Sequence, residues 1–254
     1  MDLGAMARDL YDAAGKGSLL IVKALLSAGA DPLAYHTPFS GWYPVHIAAQ
    51  RGYMDVVAVL VDYDARQLEL PAHERGDTPL YVAACFGAYK VVAYLLSRRA
   101  FIEARNATGH TPLAGAAHHG QGQVVNLLIG IGAHVSASVR AEVDAKQHLF
   151  SSARTPLHEI AAMPANTNVV DIITTLFQHG ASLEAKDNFG MTPLIMAVCG
   201  GSDANVATLE IRRDRNGYTH GYEIPYPART FGMSREVSIQ NIVYPLMYPR
   251  EKKA

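Results

Sequence analysis

A chain of 254 residues with 49% hydrophobic content can bury a real core, as one large domain or two small ones. Its 22 basic and 23 acidic residues leave a formal net charge of −1, so no overall field recruits nucleic acid or an anionic membrane. The two cysteines, Cys85 and Cys199, make no disulfide framework, and apolar runs such as 56–61 fall far short of the ~20 residues that cross a bilayer. Asp2 and Asp9 stand where a secretory signal needs a basic segment and an unbroken apolar one, so a soluble cytoplasmic protein is expected, with the nucleus as the alternative compartment.

Self-similarity organises the rest. Ala13-Ala14-Gly15-Lys16-Gly17 reads as a degenerate first copy of a phrase that returns as Tyr43-Pro44-Val45-His46-Ile47-Ala48-Ala49 and Thr78-Pro79-Leu80-Tyr81-Val82-Ala83-Ala84. It returns again as Thr111-Pro112-Leu113-Ala114-Gly115-Ala116-Ala117, Thr155-Pro156-Leu157-His158-Glu159-Ile160-Ala161 and Thr192-Pro193-Leu194-Ile195-Met196-Ala197. Counted from the threonine position the copies start at 8, 43, 78, 111, 155 and 192, steps of 35, 35, 33, 44 and 37. Each phrase predicts a short helix. The Thr hydroxyl caps it, Pro takes the first turn where its missing N–H is harmless, the alanines keep one face slim, and Gly52, Gly87, Gly120 or Gly201 ends it. Each is followed by a second apolar helix, read from Val56-Val57, Val91-Val92, Val124-Val125 and Val169-Val170 with partners three and four residues on. Asp187-Asn188-Phe189-Gly190 is the clearest of the polar turns leading into the next copy.

Five recurrences of a Thr-Pro-Leu-His-x-Ala-Ala type, over about residues 8 to 219, resemble the ankyrin-repeat family. The resemblance implies an all-α solenoid of helix-turn-helix units, with hairpin-like turns along one edge. It also implies a non-catalytic module that binds another protein. The organisation expected is a degenerate capping repeat at 1–41, repeats over 42–219 and a divergent tail at 220–254. A long insertion near 136–150 reads as a tolerated surface loop, or alternatively as a binding loop. In the last repeat Gly201 to Asp214 spans 13 residues where Gly87 to Asn106 spans 19, which predicts a truncated second helix and a turn at 214–219.

The 11 histidines raise metal or acid–base chemistry. His46 and His158 occupy the phrase position where the family's imidazole bonds turn backbone. Adjacent His118 and His119 diverge on a helix, and His158-Glu159 lacks the second His at 162 that a zinc-protease helix needs. No catalytic residue, metal site or cofactor is expected, and the two thiols, three repeats apart, are too distant to pair.

Family members meet partners through turn tips and the exposed ends of first helices on the concave face. Those positions here include Phe39, Trp42, Glu74, Asp77, His110, Phe189 and Met191 at the tips, and Gln50, Arg51, Phe86, His118 and His119 on the first helices, with Cys85 beside them. Trp42, Phe86, Phe189 and Arg51 are the expected anchors, because aromatic and Arg side chains concentrate interface energy. For Trp42 the alternative is packing along its own turn, and for Phe86 burial against the neighbouring turn. The expected partner is a protein gripped by a monomer, as an adaptor, scaffold or regulator; no nucleic acid or membrane is expected to bind directly. The competing readings are an end fragment of a larger ankyrin protein and a histidine-based metalloenzyme.

Overall fold

A computed structural model describes residues 3–34, 41–136, 153–164 and 166–215. Phe39, most of the 136–150 insertion and the 220–254 tail lie outside the described residues. The described residues form helix pairs with no strand. These are α1 (Leu3–Gly15) and α2 (Leu19–Ser27), α3 (Pro44–Arg51) and α4 (Met54–Tyr63), and α5 (Pro79–Cys85) and α6 (Tyr89–Ser97). There follow α7 (Pro112–His118) and α8 (Gly122–Ile131), α9 (Pro156–Ala161) and α10 (Thr167–Gln178), and α11 (Pro193–Cys199) and α12 (Asp203–Arg215). These pairs are repeats one to six. Within the stack, first helices pack on first helices and second helices on second helices.

The phrase residues build the elements as their chemistry requires. Thr78, Thr111 and Thr192 accept the N–H groups of Tyr81, Ala114 and Ile195 at 3.2, 3.3 and 3.4 Å, so the hydroxyls cap α5, α7 and α11. Five first helices end alike: the N–H of Ser18, Tyr53, Ala88, Gln121 and Ser202 reaches back to the carbonyl five residues before, at 2.8–3.2 Å. Second helices close the same way, with Ala30, Ala100, Ala133 and Ala181 donating to Leu25, Leu95, Leu128 and Leu176 at 2.9–3.0 Å. The residue before each of those alanines is left-handed: Gly29, Gly132 and Gly180 have φ of 89°, 106° and 91°, but in repeat three Arg99 holds φ 69° and carries the Cβ strain the glycines avoid.

The core runs continuously between the two helix layers. Val56, Val57 and Leu60, Val91, Val92 and Leu95, Val124, Val125 and Leu128, and Ile172, Ile173 and Leu176 are all buried. Each fully buried side chain of this kind stabilises by ~1.5–3 kcal/mol relative to exposure. Alanine pairs 48–49, 83–84 and 116–117 are buried too, which is what lets first helices stack closely. Turns join edge to edge, His73 donating to the Gly41 carbonyl at 3.0 Å and Ala107 to that of Arg75 at 2.8 Å.

Two expectations are corrected at the ends of the array. The first helix begins at Leu3, with Arg8 inside it rather than at its cap, because no Thr-Pro pair fixes a start there. The last second helix is not truncated: α12 runs 13 residues and takes in Asp214 and Arg215, where a turn was expected. Between Asp203 and Arg215 there is neither Gly nor Pro, so nothing in that stretch stops a helix once it is seeded.

Candidate functional site

The two phrase histidines are structural. The Nδ1 of His46 accepts the Tyr43 N–H at 3.2 Å, which places its proton on Nε2, and Nε2–H is shared between the carbonyls of Asp77 (2.9 Å) and Leu70 (3.0 Å). His158 repeats the arrangement, accepting from Thr155 N–H at 3.1 Å and donating to the Met191 carbonyl at 3.0 Å. Each imidazole therefore pins the start of a first helix to the turn of the following repeat. Burial lowers both; His46 falls to about 4, although its carbonyl partners pull the other way.

The turns hold themselves by Asx bonding. Asp187 Oδ1 accepts from Phe189 and Met191 N–H at 2.8 and 2.9 Å, and Asn106 Oδ1 does the same for Thr108 and His110 at 3.1 and 2.9 Å. One residue immediately before a threonine position leans inward rather than projecting. Asp77, expected at a tip, is 3% exposed: its carboxylate accepts from Asn106 Nδ2 at 2.8 Å and lies 3.7 Å from Arg75. That makes it a tie between consecutive turns and removes it from the contact surface. Cys85 is likewise buried, against Tyr81, and burial pushes its thiol up to about 12. Both cysteines are free, Cys199 being exposed.

Several expected contact residues do come together. Trp42 and Phe86 meet edge to face at 6.2 Å, Phe86 stacks on His119 at 6.3 Å, and His119 meets His118 edge to face at 5.0 Å. Phe86 is 49% exposed, so it is not buried against the adjacent turn, and the half-buried Trp42 reaches into the next repeat. This aromatic run crosses repeats two, three and four. Gln50 and the exposed Arg51 end α3 on the same face, and Glu74 is exposed at the second turn. Phe189, 68% exposed, and the half-buried Met191 sit apart at the last turn.

Beyond the rings lies a group that the sequence pattern did not single out as a contact. Glu159 of α9 is 6% exposed, and its carboxylate receives His118 Nδ1 at 2.9 Å and faces His110 Nε2 at 3.5 Å. His110 in turn bonds the Thr108 hydroxyl through Nδ1 at 2.8 Å. Burial alone would raise the Glu159 carboxyl, but the two imidazoles outweigh it and hold it well below the usual carboxylate range. The hydrogen bond to Glu159 raises His118 against the opposing effect of burial. The signal available in the sequence was an acidic residue at the variable position of the fifth phrase, one repeat beyond two histidines. Among the described residues no three His, Cys, Asp or Glu side chains are grouped to hold a metal ion, and no helix is long and apolar enough to cross a membrane.

Paired helices stacked through their alanine faces, with turns and first-helix ends on one side, define a repeat solenoid whose variable residues form a surface. A family described as Ankyrin repeats (3 copies) matches residues 10–106 and 116–212. The chain belongs to the ankyrin-repeat family, and its repeats constitute a protein–protein interaction module of a kind that is generally non-catalytic. It is 32% identical over 203 residues to Ankyrin repeat protein nuc-2 of Neurospora crassa, covering 79% of this chain and 17% of that protein. It is 27% identical over 204 residues to Transient receptor potential cation channel subfamily A member 1 of Drosophila melanogaster, covering 79% of this chain and 16% of the channel. Target of rapamycin complex 2 subunit AVO2 of Saccharomyces cerevisiae shares 31% identity over 125 residues, 49% of this chain and 29% of that subunit. The chain thus spans less than a third of each of these relatives.

Proposed function

We propose that the chain acts as a monomeric, non-catalytic adaptor or regulatory module. It holds a protein partner against the first-helix face of repeats two to four, in the cytoplasm or alternatively the nucleus. The observation that carries this reading is the aromatic run Trp42–Phe86–His119–His118, whose exposed rings Phe86 and His119 take no part in the apolar core. The buried alanines and valines hold the repeats together, whereas Phe86 and His119 are exposed at helix ends. Large rings on a rigid support lose little conformational freedom on binding, which is why they dominate interface energetics. Arg51, Gln50 and Glu74 supply a polar rim, and Phe189 with Met191 forms an outlying contact for a longer partner.

The test is affinity capture from a native extract with the full chain, a Phe86→Ala/His119→Ala variant and a Phe101→Ala variant. Phe101 is 62% exposed just after the second helix of repeat three, so its loss controls for removing any surface ring. A partner retained by the wild type and Phe101→Ala but lost by the double variant is the expected result. Equal retention by all three would move the contact elsewhere, and an absence of specific capture would end the adaptor reading.

A further inference from the structure

Consecutive repeats place one residue at the same point just before the glycine that ends each first helix. In repeats one to four these are Lys16, Arg51, Phe86 and His119, followed by Gly17, Gly52, Gly87 and Gly120, whose N–H groups donate to Ala14, Ala49, Ala84 and Ala117. All four side chains are exposed. The column therefore runs from two cations to two rings, and the rings are in stacking contact.

Two further arginines lie along the turns. Arg75 and Arg105 are exposed there, and His118 is half exposed beside His119. Three acids along the array are withdrawn from solvent and already engaged: Asp77 with Asn106, Glu159 with His110 and His118, and Asp187 with its own turn and Arg154. The exposed acids nearby are Asp9 and Asp12, two turns and one turn earlier on α1, and Glu74. Lys16 and Arg51 thus stand at the glycine ends of consecutive first helices, in a column that itself carries no acid.

We propose that this column recognises an extended acidic segment of a protein partner. Its carboxylates face Lys16 and Arg51, and its aromatic or large apolar side chain lies over Phe86 and His119. The inference rests on the docking face proposed above and adds the chemistry of what docks. Packed helices step by roughly 10 Å, so four repeats span about 30 Å, the reach of about nine extended residues. Guanidinium and ammonium groups attract carboxylates over that path, while the rings supply contact area that ionic strength does not weaken.

The experiment measures binding of fluorescein-labelled 12-residue peptides to the full chain by anisotropy. One peptide carries a run of Asp and Glu followed by Trp and Phe; its control replaces every acid by Lys. The acidic–aromatic peptide is expected to bind, several-fold more weakly at 300 mM than at 50 mM salt, and the lysine control is not. Lys16→Glu/Arg51→Glu should weaken the acidic peptide at least tenfold. Lys23→Glu/Lys90→Glu, the same change of formal charge on second helices, should leave it within twofold. Phe86→Ala should weaken it several-fold equally at both salts. Comparable binding of the lysine peptide, or an equal response to the two charge reversals, overturns the proposal. Absence of peptide binding overturns it too: if a captured partner still depends on Phe86 and His119, the docking face stands and only its acidic specificity fails. If that dependence is also absent, both fail.

Discussion

The junction between repeats three and four and the junction between four and five use one register and opposite chemistry. In each, the residue seven beyond the threonine position of one repeat meets the residue four beyond it in the next. At the first junction the pair is Cys85 and Gly115, and a Cβ built on Gly115 would lie 2.7 Å from the Cys85 sulfur and 2.9 Å from the Tyr81 ring. At the second it is His118 and Glu159, joined at 2.9 Å with His110 closing from the turn. The stack fixes where the backbones lie, so each junction needs only a complementary pair, matched in volume in one case and in charge and hydrogen bonding in the other. A module built this way can alter its partner-facing surface locally without altering its core.

The largest effect should come from disturbing the volume match. Gly115→Val puts three carbons where the structure leaves none, and overpacking of this kind costs about 2–3 kcal/mol. Adding Cys85→Ala vacates the thiol position and should restore at least half of the loss. Urea unfolding of the four members of this cycle measures it. A Gly115→Val protein as stable as wild type would show the repeats sliding apart freely, and no rescue would place the clash against Tyr81 instead.

Charge complementarity should be the weaker of the two. Glu159→Gln keeps the shape and an acceptor oxygen but removes the anion, and since the His118 side chain is 51% exposed, solvent screens much of the pair. A loss of about 1–2 kcal/mol at pH 6 is expected. His118 should titrate at a lower pH in Glu159→Gln than in wild type, followed by its imidazole proton resonances. An unchanged His118 titration would mean that Glu159 is not its partner in solution.

The pH dependence separates the two junctions further. His118 is raised above its ordinary 6.5, so its contribution is complete below that value and disappears as pH rises through the raised one. Glu159 is held below its ordinary 4.5, so its contribution is present above 4.5 and disappears as pH falls through the lowered value. Together they act most strongly between about 4.5 and 6.5. His46 and His158 have the opposite sign: lowered by burial, they contribute fully above 6.5, and the His46 share is lost as pH falls towards about 4. Wild-type Tm alone mixes these effects. The difference in Tm between wild type and Glu159→Gln should be greatest between pH 4.5 and 6.5 and shrink above 7, while Gly115→Val should give a difference with no such shape. A Glu159→Gln difference that grew steadily with pH would rule out the histidine pair as its source.

The caps, the helix pairs and the backbone role of His46 were legible in the sequence because each is enforced within a few residues: a hydroxyl before Pro, a left-handed glycine after the helix, an imidazole three residues into it. The extent of α1 and α12 was not legible, since no Thr-Pro cap fixes the first and no Gly or Pro interrupts the second. Repeat register puts Phe86 and His119 at equivalent positions, and their ring contact follows from the stacking, whereas Trp42 and His118 reach the same run from other positions. Asp77 was expected at a tip and Glu159 was missed, for the opposite reason. Their roles depend on which side chain a neighbouring repeat offers, Asn106 from the following turn to one and His118 from the preceding repeat to the other, and the period of the phrase is silent on that pairing.

The smallest expected change tests whether the two junctions are independent. Arg99, left-handed at φ 69°, ends α6 in repeat three without touching either pair. Arg99→Gly relieves about 1–2 kcal/mol of Cβ strain and gives back roughly half of that in unfolded-state entropy, so a gain of about 0.5–1 kcal/mol is expected. In Glu159→Gln, one junction away, the gain should add fully, because distant sites without shared partners are additive. In Gly115→Val, where repeats three and four are already forced apart, it should fall short of that value, since the backbone near α6 shifts to accommodate the extra volume. Full additivity in both backgrounds would show that the strain at Gly115 is absorbed within α5 and α7, and that each junction of the solenoid adjusts alone.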